Sequence, residues 1–151
     1  MREFAALAEL EAWLGQEVAV SDWLQVTQER INLFAQASGD HQWIHVAPER
    51  CRQESPYGTP IAHGFLTLSL LPMLLAQSIT FPPCKLAVNY GLNRVRFPAP
   101  VPVGQKIRAR MLLQALEAVA GGVQMNWEVT MEAEGGDKPV CVAELILRHY
   151  D

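Results

Sequence analysis

Cysteine is scarce in this chain, and what there is does not form an obvious framework. There are 3 cysteines in 151 residues, Cys51, Cys84 and Cys141. Their odd number and wide spacing fit reduced thiols in a cytoplasmic setting better than disulfides. Positive charge is also short, with 12 Lys and Arg against 16 Asp and Glu and a formal net charge of -4. A nucleic-acid backbone would find no cluster of cations to meet. The basic stretches NRVRF (93–97) and KIRAR (106–110) alternate with apolar residues and read as strands. The opening MREFAALAELEAWLG sets acids into its apolar pattern and lacks the apolar region of a signal peptide.

Apolar residues are plentiful, at 50% of the chain, and residues 61–83 carry no charge over 23 positions. A membrane-spanning helix needs about 20 predominantly apolar residues. Here the strongly apolar part, 65–76, is only 12 long and contains Pro72. A short helix that is hydrophobic all round belongs in a protein core.

The remaining pattern places this helix in a single domain over 1–151. Residues 2–14 read as an amphipathic helix stopped by Gly15, making 1–15 an N-terminal helical addition. EVAVSDWLQV is extended in character. Thr27 can cap a helix that runs to Gly39, and a short helical segment follows from Pro48. After Pro83 come four extended segments, separated by PAPVPVG, AGG and EGGDK. One apolar helix followed by a run of strands predicts an α+β fold, with a curved antiparallel sheet wrapped around the helix. Its sheet edges and leftover apolar surface favour a homodimer.

Titratable residues concentrate in ASGDHQWIHVAPE, residues 37–49. On an α-helix Asp40 and His45 would sit about 140° apart in azimuth and share no target. In the loop implied by Gly39 and Pro48 they can converge on one water, as a general acid–base pair. Partial burial by Trp43 and Ile44 would then shift both pKa values. The structural alternative is an Asp that caps nearby N–H groups beside a satisfied histidine. A metal reading would pair His41 with His45 one helical turn apart, with Asp40 or His63 as third ligand. That geometry needs a helix, which the loop composition argues against. Further on, TPIAHGFLTLSL (59–70) opens the apolar helix at Gly64, where a ligand can approach the backbone closely. The free N–H groups there favour negative charge developing on an oxygen.

Together these elements resemble the MaoC-like dehydratases of the hotdog fold, a family that includes the (R)-specific enoyl-CoA hydratases. The family motif S/T-G-D-x-N-P-x-H appears as Ser38-Gly39-Asp40-His41-Gln42-Trp43-Ile44-His45. The I-A-H-G signature appears at 61–64, and VRFPAPVPVG (95–104) resembles the family's strand and turn. Gln42-Trp43 in place of Asn-Pro looks like the branch containing nodulation protein N. The resemblance implies a long central helix from about Gly64 and catalytic roles for Asp40 and His45. It also implies substrate contacts from Gly64, Gln42, Ser69 and His63, with the Gly64 N–H on the thioester carbonyl. The implied reaction is reversible hydration of a trans-2-enoyl-CoA, with no metal and no cofactor beyond the CoA of the substrate. Acyl-CoA thioesterase is the rival enzyme, but its usual helix acid is missing from 61–78. A non-catalytic acyl-thioester binding module is the third reading. Arg94 and Arg96 could meet CoA phosphates, but as alternating strand residues they read first as solvated.

Overall fold

The computed structural model describes residues 1–150. The chain starts with a short strand, β1 (Arg2–Glu3), and a 3-10 helix over Leu7–Trp13. The expected α-helix over 2–14 does not form. Its buried positions explain why: Leu10 is fully buried, with Leu7 and Trp13 packed against the core on either side. A stripe that repeats every third residue suits a helix of three residues per turn. Arg2 tethers this segment, donating from Nε to the Val18 carbonyl at 2.7 Å and lying over the Trp13 ring.

Two short strands, β2 (Glu17–Val20) and β3 (Leu24–Gln25), precede helix α1 (Gln28–Ser38). The Thr27 hydroxyl accepts from the Arg30 N–H, and Gly39 closes the helix with φ 79°, a left-handed geometry. One-turn helix α2 (Trp43–Val46) and helix α3 (Pro48–Glu54) follow. Segment 37–49 is thus not wholly a loop, since Trp43–Val46 makes a turn of helix. His41 lies before that turn.

The apolar segment folds as two helices, α4 (Gly64–Ser69) and α5 (Leu71–Ser78), not as one long rod. Pro72 has no N–H for the carbonyl four residues back, and its ring crowds that turn. At the junction Leu70 bonds instead to the Thr67 carbonyl at 3.3 Å. Leu66, Leu71 and Leu74 are buried from the two halves. Short strand β4 (Ile79–Thr80) then pairs in parallel with β1.

The four long strands are β5 (Leu86–Arg96), β6 (Lys106–Val119), β7 (Gly122–Ala133) and β8 (Pro139–Tyr150). Their sheet has the order β2-β6-β7-β8-β5, with β3 also on β6, and its pairings are antiparallel. Alternate residues of β6 and β7, such as Ile107, Met111, Trp127 and Val129, are buried beneath the helices. Their apolar burial, at roughly 25 cal/mol per Å², is the main driving force for the wrap. The basic residues of KIRAR face acids: Arg108 pairs with Glu132, and Arg110 with Glu17. Strand β5 is the edge, paired only to β8, with register shifts at Asn89/Gly91 and Leu92/Arg94. Arg94 and Arg96 on it are exposed.

Candidate active site

The site begins where α1 stops. Left-handed Gly39 turns the chain, and the Ser38 hydroxyl donates to the Phe34 carbonyl while accepting from the Asp40 N–H at 3.2 Å. The Asp40 carboxylate in turn accepts from the Gln42 N–H at 3.2 Å. This is the local bonding expected of an Asp at a turn, and it aims the carboxylate. Helix α2 then carries His45 inward. Gln28 steadies that turn, donating from its amide to the His45 carbonyl at 2.8 Å.

His45 is 6% exposed, and its Nδ1 lies 2.7 Å from the Ile61 carbonyl oxygen. A carbonyl only accepts, so Nδ1 carries the proton and Nε2 presents a lone pair. Burial lowers the His45 pKa below its usual value, and neighbouring His63 adds to that. The Ile61 bond and the Asp40 charge act in the opposite direction, with a smaller effect. The ring is therefore neutral at neutral pH and able to take a proton.

His63 forms the back wall. It is buried, its ring stacks on His45 at 3.8 Å between centroids, and Phe34 packs on it at 4.9 Å. Its Nε2 donates to the Asp40 carbonyl at 3.0 Å. One side-chain ligand atom from each of Asp40, His45 and His63 lies within 4.8 Å of the others. Two groups at that separation can both hydrogen-bond to one water. The same convergence would be needed to hold a cation, but His41 is not a member of the group. Asp40 itself is exposed at the lip. The structure therefore buries His45 but not Asp40, where the sequence predicts partial burial of both.

Gly64 opens α4 beside this wall, and the N–H groups of the first turn have no intrahelical partner. A Cβ built on Gly64 would lie 2.9–3.1 Å from three atoms of the Phe97 ring. The glycine therefore permits close packing as well as backbone approach. A cavity of about 310 Å³ adjoins it, lined by residues including Tyr57, Ile61, Thr67, Phe97 and Val101. Ile61 links cavity and dyad, because its carbonyl fixes the His45 ring.

Two expected contacts look different in the structure. The Gln42 side chain is exposed, and the bond it makes to Asp40 comes from its backbone N–H. Ser69 donates to the Leu66 carbonyl and lines a separate cavity of about 220 Å³ with Leu68, Pro72 and Leu92. Gln28, Phe34 and the Ile61 carbonyl are supporting groups that the motif gives no sign of. They come from other elements and act through the backbone or the ring face.

Comparison with known proteins agrees with this architecture. Residues 9–135 match the family model described as MaoC like domain. The chain is 55% identical over 150 residues to 3-hydroxyacyl-thioester dehydratase Z of Mycobacterium tuberculosis, covering 99% of both chains. It is 42% identical to Nodulation protein N of Rhizobium leguminosarum bv. viciae, covering 93% of this chain and 89% of that one. Among solved structures, an unliganded (R)-hydratase from Pseudomonas aeruginosa superposes with TM-score 0.74 at 23% identity. That match covers 97% of this chain and 86% of the other. The fold is the hotdog fold expected from the sequence.

Proposed function

This chain belongs to the MaoC-like dehydratase family, and from that premise we propose that it is a hydro-lyase catalysing reversible syn hydration of a trans-2-enoyl-CoA to an (R)-3-hydroxyacyl-CoA. The observation that carries this reading is the approach of the Asp40 and His45 side chains to within 4.8 Å of each other, with the His45 tautomer fixed by Ile61. The names of the thioester dehydratase relative and the (R)-hydratase neighbour support the thioester substrate and the hand of the product.

The thioester carbonyl accepts from the Gly64 N–H, where enolate charge develops as the water oxygen bonds to C3. His45 takes a proton from that water at Nε2 and gives it to C2 on the same face. Asp40 holds the water and stabilises the transient imidazolium. Overall one water adds across the double bond, its oxygen to C3 and a hydrogen to C2. His63 acts through its neighbours, positioning the Asp40 backbone and the His45 ring. No metal or added cofactor is required. The three free cysteines fit a cytoplasmic enzyme.

A homodimer completes the proposal. Phe65 is 71% exposed beside Gly64, Tyr57 and Phe97 are exposed nearby, and β5 is an open edge. Clustered aromatic surface and an unpaired strand are what a second copy would cover.

The test is assay of purified protein on crotonyl-CoA, with loss of enoyl absorbance and chiral analysis of the product. Appearance of the (R)-alcohol supports the proposal. Thiol release with the enoyl absorbance unchanged identifies a thioesterase, and turnover in neither assay points to a binding module.

A further inference from the structure

Among the described residues, the buried side-chain atoms without a hydrogen-bond partner are Gln28 Oε1, His63 Nδ1, Trp127 Nε1 and His149 Nδ1. The first two belong to groups that hold the backbone of the acid–base pair. Gln28 bonds the His45 carbonyl and His63 the Asp40 carbonyl. His63 is the more deeply buried, at 2% exposed. Because its Nε2 donates to Asp40, its Nδ1 is left as an acceptor with no donor. One unpaired buried atom offsets most of what one hydrogen bond gains, so this imidazole adds little to stability. What it adds is position.

Both backbone groups of Asp40 are held: its N–H by the Ser38 hydroxyl at 3.2 Å and its carbonyl by His63 at 3.0 Å. The His63 ring meets His45 at 3.8 Å, nearly parallel at 26°, with Phe34 of α1 at 4.9 Å. The His63 backbone starts α4. Its carbonyl accepts from the Thr67 N–H at 3.1 Å and from the Thr67 hydroxyl at 3.4 Å, and Gly64 follows directly. One residue therefore touches the turn that carries Asp40, the helix that carries His45 and the helix that opens at Gly64.

We propose that His63 is a positioning residue that sets the Asp40–His45 pair in register with the first turn of α4. The water held by the pair then lies at the reacting distance from a thioester seated on the Gly64 N–H. The proposal rests on the hydration reading above and deepens it by naming what couples its two halves. The coupling runs through one bond, from Nε2 to the Asp40 carbonyl. Without it Asp40 is held on one side only, and misplacement of a catalytic group by about 1 Å costs about 10²-fold in rate.

The experiment compares His63→Phe, His63→Gln and His63→Asn in the intact protein. Phe keeps a ring against His45 but has no donor. Gln carries its amide nitrogen as far beyond Cβ as histidine carries Nε2, and Asn stops one bond short. His63→Phe is expected to lower kcat on crotonyl-CoA by about 10²-fold, with KM and the affinity for unreactive butanoyl-CoA within about twofold. His63→Gln should recover about tenfold of that loss and His63→Asn none. Equal losses in all three, losses that follow melting temperature, or a loss in KM instead of kcat would overturn the proposal. If the Phe variant does not fold, the Gln and Asn variants decide. Hydrogen exchange at the Gln42 N–H, which the Asp40 carboxylate accepts, reads the tie without turnover. It should quicken about tenfold in the Phe and Asn variants but not in Gln, and unchanged exchange in all three overturns the tie. The expected exchange pattern in a protein that hydrates no crotonyl-CoA refutes the reaction alone. Hydration undiminished in His63→Phe refutes this inference alone.

Discussion

Gly64→Ala separates two effects that act in opposite directions. Gly64 is in a helix and has no positive φ, so alanine there reduces the freedom of the unfolded chain and favours the fold by about 0.4–1 kcal/mol. The added Cβ, however, arrives 2.9–3.1 Å from three Phe97 ring atoms, several tenths of an ångström inside ordinary contact. Overpacking of this kind costs about 1–3 kcal/mol. Phe97 is 40% exposed and has room to yield, which puts the cost in the lower half of that range. The net expectation is destabilisation by about 1 kcal/mol, a fall in melting temperature of about 2–4 °C for a chain this long. In a Phe97→Ala background the obstacle is gone, and the same substitution should become neutral or stabilising. Thermal unfolding of the four proteins in the cycle measures the coupling. An identical loss in both backgrounds would show that the ring is not the obstacle and would refute the argument. Activity should fall in Gly64→Ala, because the thioester carbonyl must approach the N–H past the new methyl group.

Asp40→Asn and His45→Ala should each lower kcat/KM on enoyl-CoA by about 10²–10⁴-fold. Asp40→Asn should leave the melting temperature nearly unchanged, since the carboxylate is exposed; a large drop there would assign Asp40 a structural role. The pKa values of His45 and His149 are both lowered by burial in the folded state. The stability they contribute is therefore fully present above the unfolded value of about 6.5 and lost as pH falls through the lower folded values. Melting temperature should decline on going from pH 7.5 toward 5, and less steeply in His149→Phe. The kcat/KM profile should rise with pH to a plateau as His45 loses its proton, and a profile flat through that range would argue against His45 as the base. Prolonged dialysis against EDTA should leave hydration of crotonyl-CoA intact, and loss restored by zinc would instead make Asp40, His45 and His63 a metal site.

The legible parts of the chain were those governed by local chemistry. Thr27 and Gly39 mark the two ends of α1 because capping and the left-handed turn are decided by neighbouring residues. The four long strands lie between their Gly and Pro turns for the same reason. Asp40 and His45 are brought together as their spacing in an irregular segment allows. What the sequence obscured depends on partners distant along the chain. The helix expected over 2–14 becomes a strand and a 3-10 turn because β4 and the core select a three-residue repeat. Pro72 was visible, yet a proline in a helix can kink it or end it, and packing decides which. His149 lies in a strand of alternating pattern, and its burial beside Phe81 exists only once β8 has met the segment after α5.

The break at Leu70 divides labour within one apolar stretch of chain. The forward half opens with the Gly64 N–H proposed above to meet the thioester carbonyl, and the rear half is anchored through the buried Leu74 and Leu75. With the regular backbone bonding interrupted between them, the two halves can be varied separately. Substitutions at exposed positions of the rear half, such as Ala76, are therefore expected to leave the alignment of the front half unchanged.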